Sequence, residues 1–278
     1  MYLVLHKRFV ITLFSLLALV LSLALYFSGK AFAAEKTNKP LVVRYLSGEY
    51  FPDVLKLALD KTVESDGEYR LLEKEWLGPK QRMRELLKQN KHIDILWSTT
   101  SAQREAQLKA IKFSLLKQLN QYRFLLIHQG EQARYNQVTS VEDLRAFTAA
   151  SGTHWQDTKI FRRNKLPVVS TIDNDDLAKM LQVKRADYIA RGAYEIWREL
   201  DENTFNTMQL EQNLLLKYNA DYYFFVHPDN NILATRLLKG LNKAQTDGSF
   251  DQVFFSVPTY KKGWHAVHES DRIVIELE

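Results

Sequence analysis

The sequence predicts an α/β protein folded as two lobes, and three observations predict it. Short apolar runs with strand character alternate with segments of helical periodicity, the pattern of a parallel sheet with crossover helices. About 245 residues remain beyond an N-terminal leader, more than one domain of usual size and enough for two of about 100 to 150. Two dense runs, YRFLLI at 122–127 and DYYFFV at 221–226, bracket roughly 100 residues, a domain-sized insert, and read as the places where the chain crosses between lobes.

Residues 1–33 read as a signal peptide. His6-Lys7-Arg8 precede an apolar run at 9–27, and Ala31-Phe32-Ala33 follows it. A basic region, an apolar segment and small residues at the last positions are what export machinery and signal peptidase read, so cleavage between Ala33 and Ala34 and a periplasmic location are expected. The apolar run nears the roughly 20 residues that span a bilayer, which leaves an uncleaved N-terminal membrane anchor as the alternative. The chain has no cysteine, so neither a lipid-bearing thiol nor a disulfide is available.

Leu41–Leu46 (LVVRYL) reads as a mostly buried strand, and after Ser47-Gly48-Glu49 the segment 52–62 carries Val54, Leu55, Ala58 and Leu59 at helical spacing. Residues 69–73 form a second short strand. Gly78-Pro79 then opens a helix with Met83, Leu86 and Leu87 on one face, and Ile93-Asp94-Ile95-Leu96-Trp97 is a third strand. Past YRFLLI, Ser140 and Asp143 stand at the two positions of a capping box, and Thr148-Ala149-Ala150, Pro167-Val168-Val169 and residues 186–190 continue a second alternation. After DYYFFV, Leu233, Leu237, Leu241 and Ala244 line a long helix that closes at Asp247-Gly248. The tail from 258 to 278 ends in Arg272-Ile273-Val274-Ile275-Glu276-Leu277, which suits an edge strand.

Lys7, Arg8 and Lys30 belong to the leader, which holds no acid, so the 38 basic and 33 acidic residues of the whole leave about +2 on the remainder. Near balance with interspersed signs argues against the basic stripe of a nucleic-acid surface. No Gly-x-Ser-x-Gly elbow, P-loop, Gly-x-Gly-x-x-Gly or His-Glu-x-x-His occurs, and a nucleophilic cysteine is impossible. Asp173-Asn174-Asp175-Asp176 lacks the glycine and final glutamate of a calcium loop, and His265 and His268 have metal-like spacing but lie in a polar tail. No cofactor, metal or catalytic residue is expected.

Four local patterns remain. Lys91-His92-Ile93-Asp94-Ile95-Leu96 is similar to a Gly-Lys-hydrophobic-Asp strand, and Ser98-Thr99-Thr100-Ser101-Ala102-Gln103-Arg104-Glu105 to a Ser/Thr-rich loop ending in Thr-x-x-Arg. Gly152-Thr153 ends a short strand before a helix. Lys184-Arg185-Ala186-Asp187-Tyr188-Ile189 is similar to a Gly-Arg-x-Asp-Ala strand, and Thr246-Asp247-Gly248-Ser249-Phe250-Asp251 to Ala-Asp-Gly-Thr-Tyr-Asp. In this order the patterns resemble the family 3 extracellular solute-binding proteins, the polar amino-acid receptors of ABC importers, over nearly the whole chain beyond the leader. The resemblance implies a type II periplasmic binding fold with two hinge-crossing strands, residues 34–124 and 222–278 in lobe 1 and 125–221 in lobe 2. It further implies a monomer that closes on a small-molecule ligand and meets an inner-membrane permease or a sensor.

A carboxylate entering a dry cleft exchanges its water for charge-assisted hydrogen bonds, best from a guanidinium with hydroxyls and backbone N–H groups. The resemblance gives Arg104 that clamp role and assigns Ser98, Thr99 and Ser101 as hydroxyls, with Ser101 also placed to cap the following helix. It gives Gly152 and Thr153 N–H groups from the opposite lobe and Tyr50 an aromatic face toward the ligand. Trp97 either floors the cleft or fills the lobe core. On the structural alternative, Arg104 is a surface residue paired with Glu105 or Glu75.

One departure bears on the ligand. The family's amino-acid receptors place an aspartate after the third strand pattern to hold the ligand ammonium, and here that region reads Ala190-Arg191-Gly192. Facing the cleft opposite Arg104, Arg191 would favour a dianion or a second carboxylate; on the outer face it would pair with Glu195. The expectation is a periplasmic receptor that performs no chemistry. The alternatives are a ligand-sensing accessory protein and a dehydratase-like enzyme on the same fold, for which Glu49, Glu73 and His154 are the acid–base candidates.

Overall fold

The computed structural model describes residues 39–75, 78, 80–173, 175–201 and 207–278, so the leader and Pro79 of the expected helix start lie outside it. The elements run β1 (Leu41–Leu46), α1 (Tyr50–Asp60), α2 (Val63–Asp66), β2 (Tyr69–Lys74), α3 (Lys80–Lys88), β3 (Ile95–Thr99), α4 (Ala102–Glu105) and β4 (Lys109–Ile111). A 3-10 turn, Leu119–Gln121, leads into β5 (Tyr122–His128), α5 (Gln132–Tyr135), α6 (Val141–Leu144), β6 (Ala149–Gly152), α7 (Gln156–Arg163) and β7 (Val168–Thr171). Then come α8 (Asp175–Gln182), β8 (Tyr188–Gly192), α9 (Ile196–Asp201), β9 (Met208–Leu210), β10 (Leu214–Lys217), β11 (Tyr222–Val226), α10 (Asn231–Thr246), α11 (Ser249–Phe255), α12 (Pro258–His268) and β12 (Ile273–Glu276).

In one lobe, β11 is antiparallel to both β3 and β4, and β1 pairs with β2 beside them. Asp94 joins the two sheets. Its N–H donates to the Arg44 carbonyl at 2.8 Å, and its carboxylate accepts from the Arg44 backbone N–H and guanidinium at 2.7 and 2.6 Å. The aspartate of the first strand pattern is therefore a structural tie. Helix α1 buries Val54, Leu55, Ala58 and Leu59, and α10 buries Leu233, Leu237, Leu241 and Ala244, the faces that their periodicity predicts. The two helices meet at Gly240, where an added Cβ would stand 1.8 Å from the Ala58 carbonyl oxygen. Gly248 takes φ +78 where α10 ends, a conformation glycine adopts without penalty.

In the other lobe a seven-stranded mixed sheet runs β12-β10-β5-β8-β6-β7, with β9 also on β5. Strands β6, β7 and β8 are parallel, and β5 runs against β8, β9 and β10. Its core gathers Leu125, Ile127, Tyr135, Leu144, Phe161 and Tyr188. The Ser140–Asp143 capping box is present, with Ser140 Oγ accepting from Asp143 N–H at 3.2 Å and Asp143 Oδ2 accepting from Ser140 N–H at 3.1 Å.

Each of the two dense runs belongs wholly to one sheet, β5 to the large and β11 to the small, and the crossings lie just ahead of them. The segments at 116–121 and 218–221 are tied together there: Asn120 Nδ2 donates to the Ala220 carbonyl, and Tyr218 N–H to the Gln121 carbonyl at 3.1 Å. A third passage departs from expectation. The tail strand, placed with lobe 1 on sequence, pairs in parallel with β10 at the edge of the large sheet, Leu214 opposite Ile273 and Lys217 opposite Glu276. Ile275 and Leu277 bury themselves in that sheet's core, which is the physical reason for the change of side.

Candidate functional site

A cavity of about 620 Å³ lies between the two sheets' lobes. The turn after β1 supplies Ser47 and Glu49, the first turn of α1 Phe51 and Asp53, the small sheet Trp97 and Tyr222, the segment after β8 Tyr194, Glu195 and Arg198, and the start of α12 Thr259 and Tyr260. Ser47, Trp97 and Tyr222 also wall a second cavity of about 240 Å³, completed by Leu46, Met83, Arg84, Leu96 and Ser98.

The larger cavity is aromatic and acidic. Phe51 is stacked between Trp97, at 5.3 Å between centroids, and Tyr222, at 5.1 Å. Tyr194 stands 6.1 Å from both Tyr222 and Tyr260, so rings from the two lobes meet. Burial and the Glu195 carboxylate hold the Tyr194 hydroxyl well above its ordinary pKa, and burial pushes Tyr260 up to about 12. Glu195 Oε1 accepts from the Gly192 N–H at 3.0 Å and reaches Arg191 at 3.3 Å.

The smaller cavity carries one basic residue, Arg84, and no acid among its described lining residues, whereas Arg104, Thr99 and Ser101 line neither cavity. Arg104 follows the N-cap Ser101, whose Oγ accepts from the Arg104 N–H at 3.3 Å, as the spacing predicts. Its guanidinium lies 6.0 Å from the centre of the Phe225 ring. Neither Glu105 nor Glu75 pairs with it: Glu105 accepts from Thr100 Oγ1 at 2.7 Å and holds Lys112 at 2.9 Å. Among the described residues no side-chain hydrogen bond or ion pair joins Arg104. Burial, followed by the neighbouring charge of Arg84, pushes it down to about 10, an unusual value for a guanidinium.

The other expected residues divide. Trp97 walls both cavities and Ser98 the smaller one. Thr99 accepts from Asn120 Nδ2 at 3.2 Å, at the first crossing. Tyr50 borders the large cavity but is 5 % exposed, with its hydroxyl on the Leu115 carbonyl at 2.7 Å and its ring against Phe254 and Tyr260. The ring offered to the cleft is its neighbour Phe51, one residue and about 100° further round the helix.

Gly152, Thr153 and Arg191 are not brought to either cavity. Thr153 N–H donates to the Thr171 carbonyl at 2.8 Å, and the Gly152 carbonyl accepts from Thr158 Oγ1 at 2.6 Å beneath the Trp155 ring. Arg191 is partly buried, with Nε on Glu199 Oε2 at 2.8 Å and its guanidinium 4.9 Å from the Trp155 ring centre. The strand-end motif thus serves lobe packing, and the dianion expectation on Arg191 is corrected: two acids already neutralise it.

Sequence reasoning named Glu195 only as a partner of Arg191, a pairing the structure has at 3.3 Å, and it missed Tyr194 and Tyr260, which the fold brings together from distant segments. It also missed Arg84, whose helix reads only as amphipathic. Of the acid–base candidates, Glu49 lines the large cavity, while Glu73 accepts from Tyr45 on the exposed face of β2 at 3.2 Å and His154 lines neither cavity. His265 pairs with Glu269 at 2.7 Å and His268 stacks on Trp264 at 3.8 Å. Among the described residues no group of three or more His, Asp or Glu side chains could hold a metal ion, and no helix is long and apolar enough to cross a membrane.

No protein-family profile and no curated protein matches the chain. Solved structures do. The chain is similar to the probable amino-acid ABC transporter extracellular-binding protein ytmK of Bacillus subtilis, with TM-score 0.60 and 15% identity over 78% of this chain and 97% of that one. It is similar to an ancestral arginine-binding protein bound to arginine, with TM-score 0.56 and 14% identity over 77% and 97%. It is also similar to the ancestral amino acid-binding protein AncCDT-1, described as a precursor of cyclohexadienyl dehydratase, with TM-score 0.54 and 12% identity over 77% and 94%. The fold is that of the two-lobed periplasmic binding proteins.

Proposed function

We propose that this protein is an exported solute-binding protein that captures a small carboxylate-bearing ligand between its lobes and presents it to a membrane transporter. The observation that carries the reading is Arg104, a partly buried guanidinium with no carboxylate partner among the described residues, on the short helix that follows β3, whose Trp97 and Ser98 wall the smaller cavity. A buried charge without a counter-charge costs free energy that an incoming anion offsets. The surroundings support binding over chemistry: Ser47, Ser98 and Tyr222 are hydroxyls, Trp97 is an aromatic wall, and no carboxylate among the described residues lines the cavity of Arg84. The leader supports export to the periplasm, and the structural neighbours include an ABC transporter binding protein.

The test is thermal denaturation of the purified protein against amino acids, dicarboxylates, aromatic acids and polyamines. Ligand-linked stabilisation follows RT ln(1 + [L]/Kd), about 2.7 kcal/mol at a hundredfold excess over Kd. A carboxylate that stabilises the wild type and not Arg104→Ala supports the reading. Stabilisation by polyamines alone, or by a carboxylate equally in both proteins, rejects it.

A further inference from the structure

The chain passes between the lobes a third time, through its tail. Helix α12 leaves the small-sheet lobe at Pro258, and residues 269–272 join it to β12 on the edge of the large sheet. Between those ends the helix touches both lobes. On the small-sheet side the Tyr260 ring meets Tyr50 at 4.9 Å and Phe254 at 5.6 Å between centroids, and Trp264 lies 6.2 and 6.0 Å from Phe254 and Phe255. On the large-sheet side Gly263 lies against the Ala193 backbone, so closely that a Cβ would stand 2.1 Å from the carbonyl oxygen. Lys262 Nζ is 4.8 Å from the Trp197 ring centre and 3.9 Å from Asp201, and the Trp197 ring packs on Phe124 of β5 at 5.4 Å. This second seam begins beside the first crossing, where the Ala193 N–H donates to the Tyr122 carbonyl at 3.0 Å, and continues along α9 to Asp201. Tyr50, Phe254, Trp197 and Gly263 are all buried.

We propose that the tail is a brace that fixes the angle between the lobes, so that the larger cavity keeps its shape without a ligand and binding needs little lobe movement. Two lobes joined only by the neighbouring segments at 116–121 and 218–221 can swing about that line, as in hinge closure. Swinging them apart here opens one of the two seams of α12. Opening the first takes Tyr260 and Trp264 off Tyr50, Phe254 and Phe255. Opening the second takes Gly263 off Ala193 and uncovers Trp197, and either one brings buried aromatic surface into water. The tail has no slack to follow one lobe alone, because α11 holds it at Pro258, β12 is in register on β10, and residues 269–272 are all that join α12 to β12. Thr259 and Tyr260 wall the larger cavity, so the brace also sets its width. A chain held in one arrangement offers a ligand no second arrangement to select.

The chain has no cysteine, so two introduced thiols carry spin labels at chosen places and nowhere else. Lys56→Cys on α1 and Lys179→Cys on α8 replace exposed lysines, each paired within its own helix, where ion pairs add little to stability. Pulsed electron paramagnetic resonance on the purified protein without ligand is expected to give a single narrow distribution of distances between the two labels. Gly263→Ala, which drives α12 off Ala193, and Tyr260→Ala, which strips the other seam, are each expected to broaden that distribution or move its mean by more than about 2 Å, the scale of a domain rearrangement. A cooperative thermal transition in each variant separates a released brace from a misfolded chain. A broad or two-component distribution in the unliganded wild type overturns the brace, whatever the variants do. A folded variant that keeps the wild-type distribution overturns it as well. Neither result bears on capture of a carboxylate through Arg104, which the thermal panel decides separately.

Discussion

Arg123 Nε donates to Asp157 Oδ1 at 2.7 Å, the arginine buried and the aspartate partly so, at the passage between the sheets, and the Tyr218 hydroxyl donates to the same oxygen. Arg123 also donates to the Asn120 carbonyl, so one guanidinium joins the first crossing to the second through Asp157 and Tyr218. Removing one member of such a pair leaves an uncompensated buried charge, so Asp157→Ala is expected to lose about 3–5 kcal/mol in urea denaturation. A loss below about 1 kcal/mol would show that the crossing does not depend on the pair.

The same pair sets an acid dependence. Burial alone would raise the Asp157 pKa, but Arg123 and Tyr218 hold it below the usual carboxylate range. A depressed folded-state pKa gives stability that is complete above the unfolded value of about 3.9 and is lost as pH falls through the folded value. Wild-type stability should therefore fall more steeply below about pH 4 than that of Asp157→Asn, measured by denaturation at a series of pH values.

Arg191 should act on stability and not on ligand choice. Arg191→Ala strands Glu199, whose pKa is already raised by burial despite the guanidinium beside it. The expected cost is about 3–5 kcal/mol at neutral pH. Because the variant's Glu199 binds its proton more readily folded than unfolded, the deficit should shrink as pH falls toward the unfolded glutamate value of about 4.3. A changed order of ligands in the variant would return Arg191 to the cleft.

The tail helix is held at Gly263, where an added Cβ would stand 2.1 Å from the Ala193 carbonyl oxygen of the opposite lobe. Gly263→Ala should cost about 1–3 kcal/mol through overpacking and increase cleavage of the tail in limited proteolysis. An unaltered digestion pattern with wild-type stability would mean that α12 shifts freely.

Local features were legible in the sequence because local chemistry decides them. The buried faces of α1 and α10, the Ser140–Asp143 box and the turn at Gly248 follow from periodicity and backbone preference. Cavity walls were legible only where one segment holds them, as with Trp97 and Ser98. Tyr194, Glu195 and Tyr260 meet Phe51 and Trp97 through the approach of two lobes, a long-range event that leaves no spacing in the chain. Thr153 and Arg191 stand at the motif positions, yet their polar groups are satisfied inside their own lobe, which spacing does not reveal. Tyr50 and Phe51 exchange roles because α1 begins at Tyr50, two residues earlier than the proline suggests.

The most direct test of ligand capture at Arg104 is calorimetric titration of the best-stabilising carboxylate into wild type and Arg104→Ala at the same pH and salt. Truncating a partly buried partner of an ion pair costs about 2–5 kcal/mol, so the variant should bind at least about thirtyfold more weakly. Equal dissociation constants in the two proteins would contradict capture through Arg104.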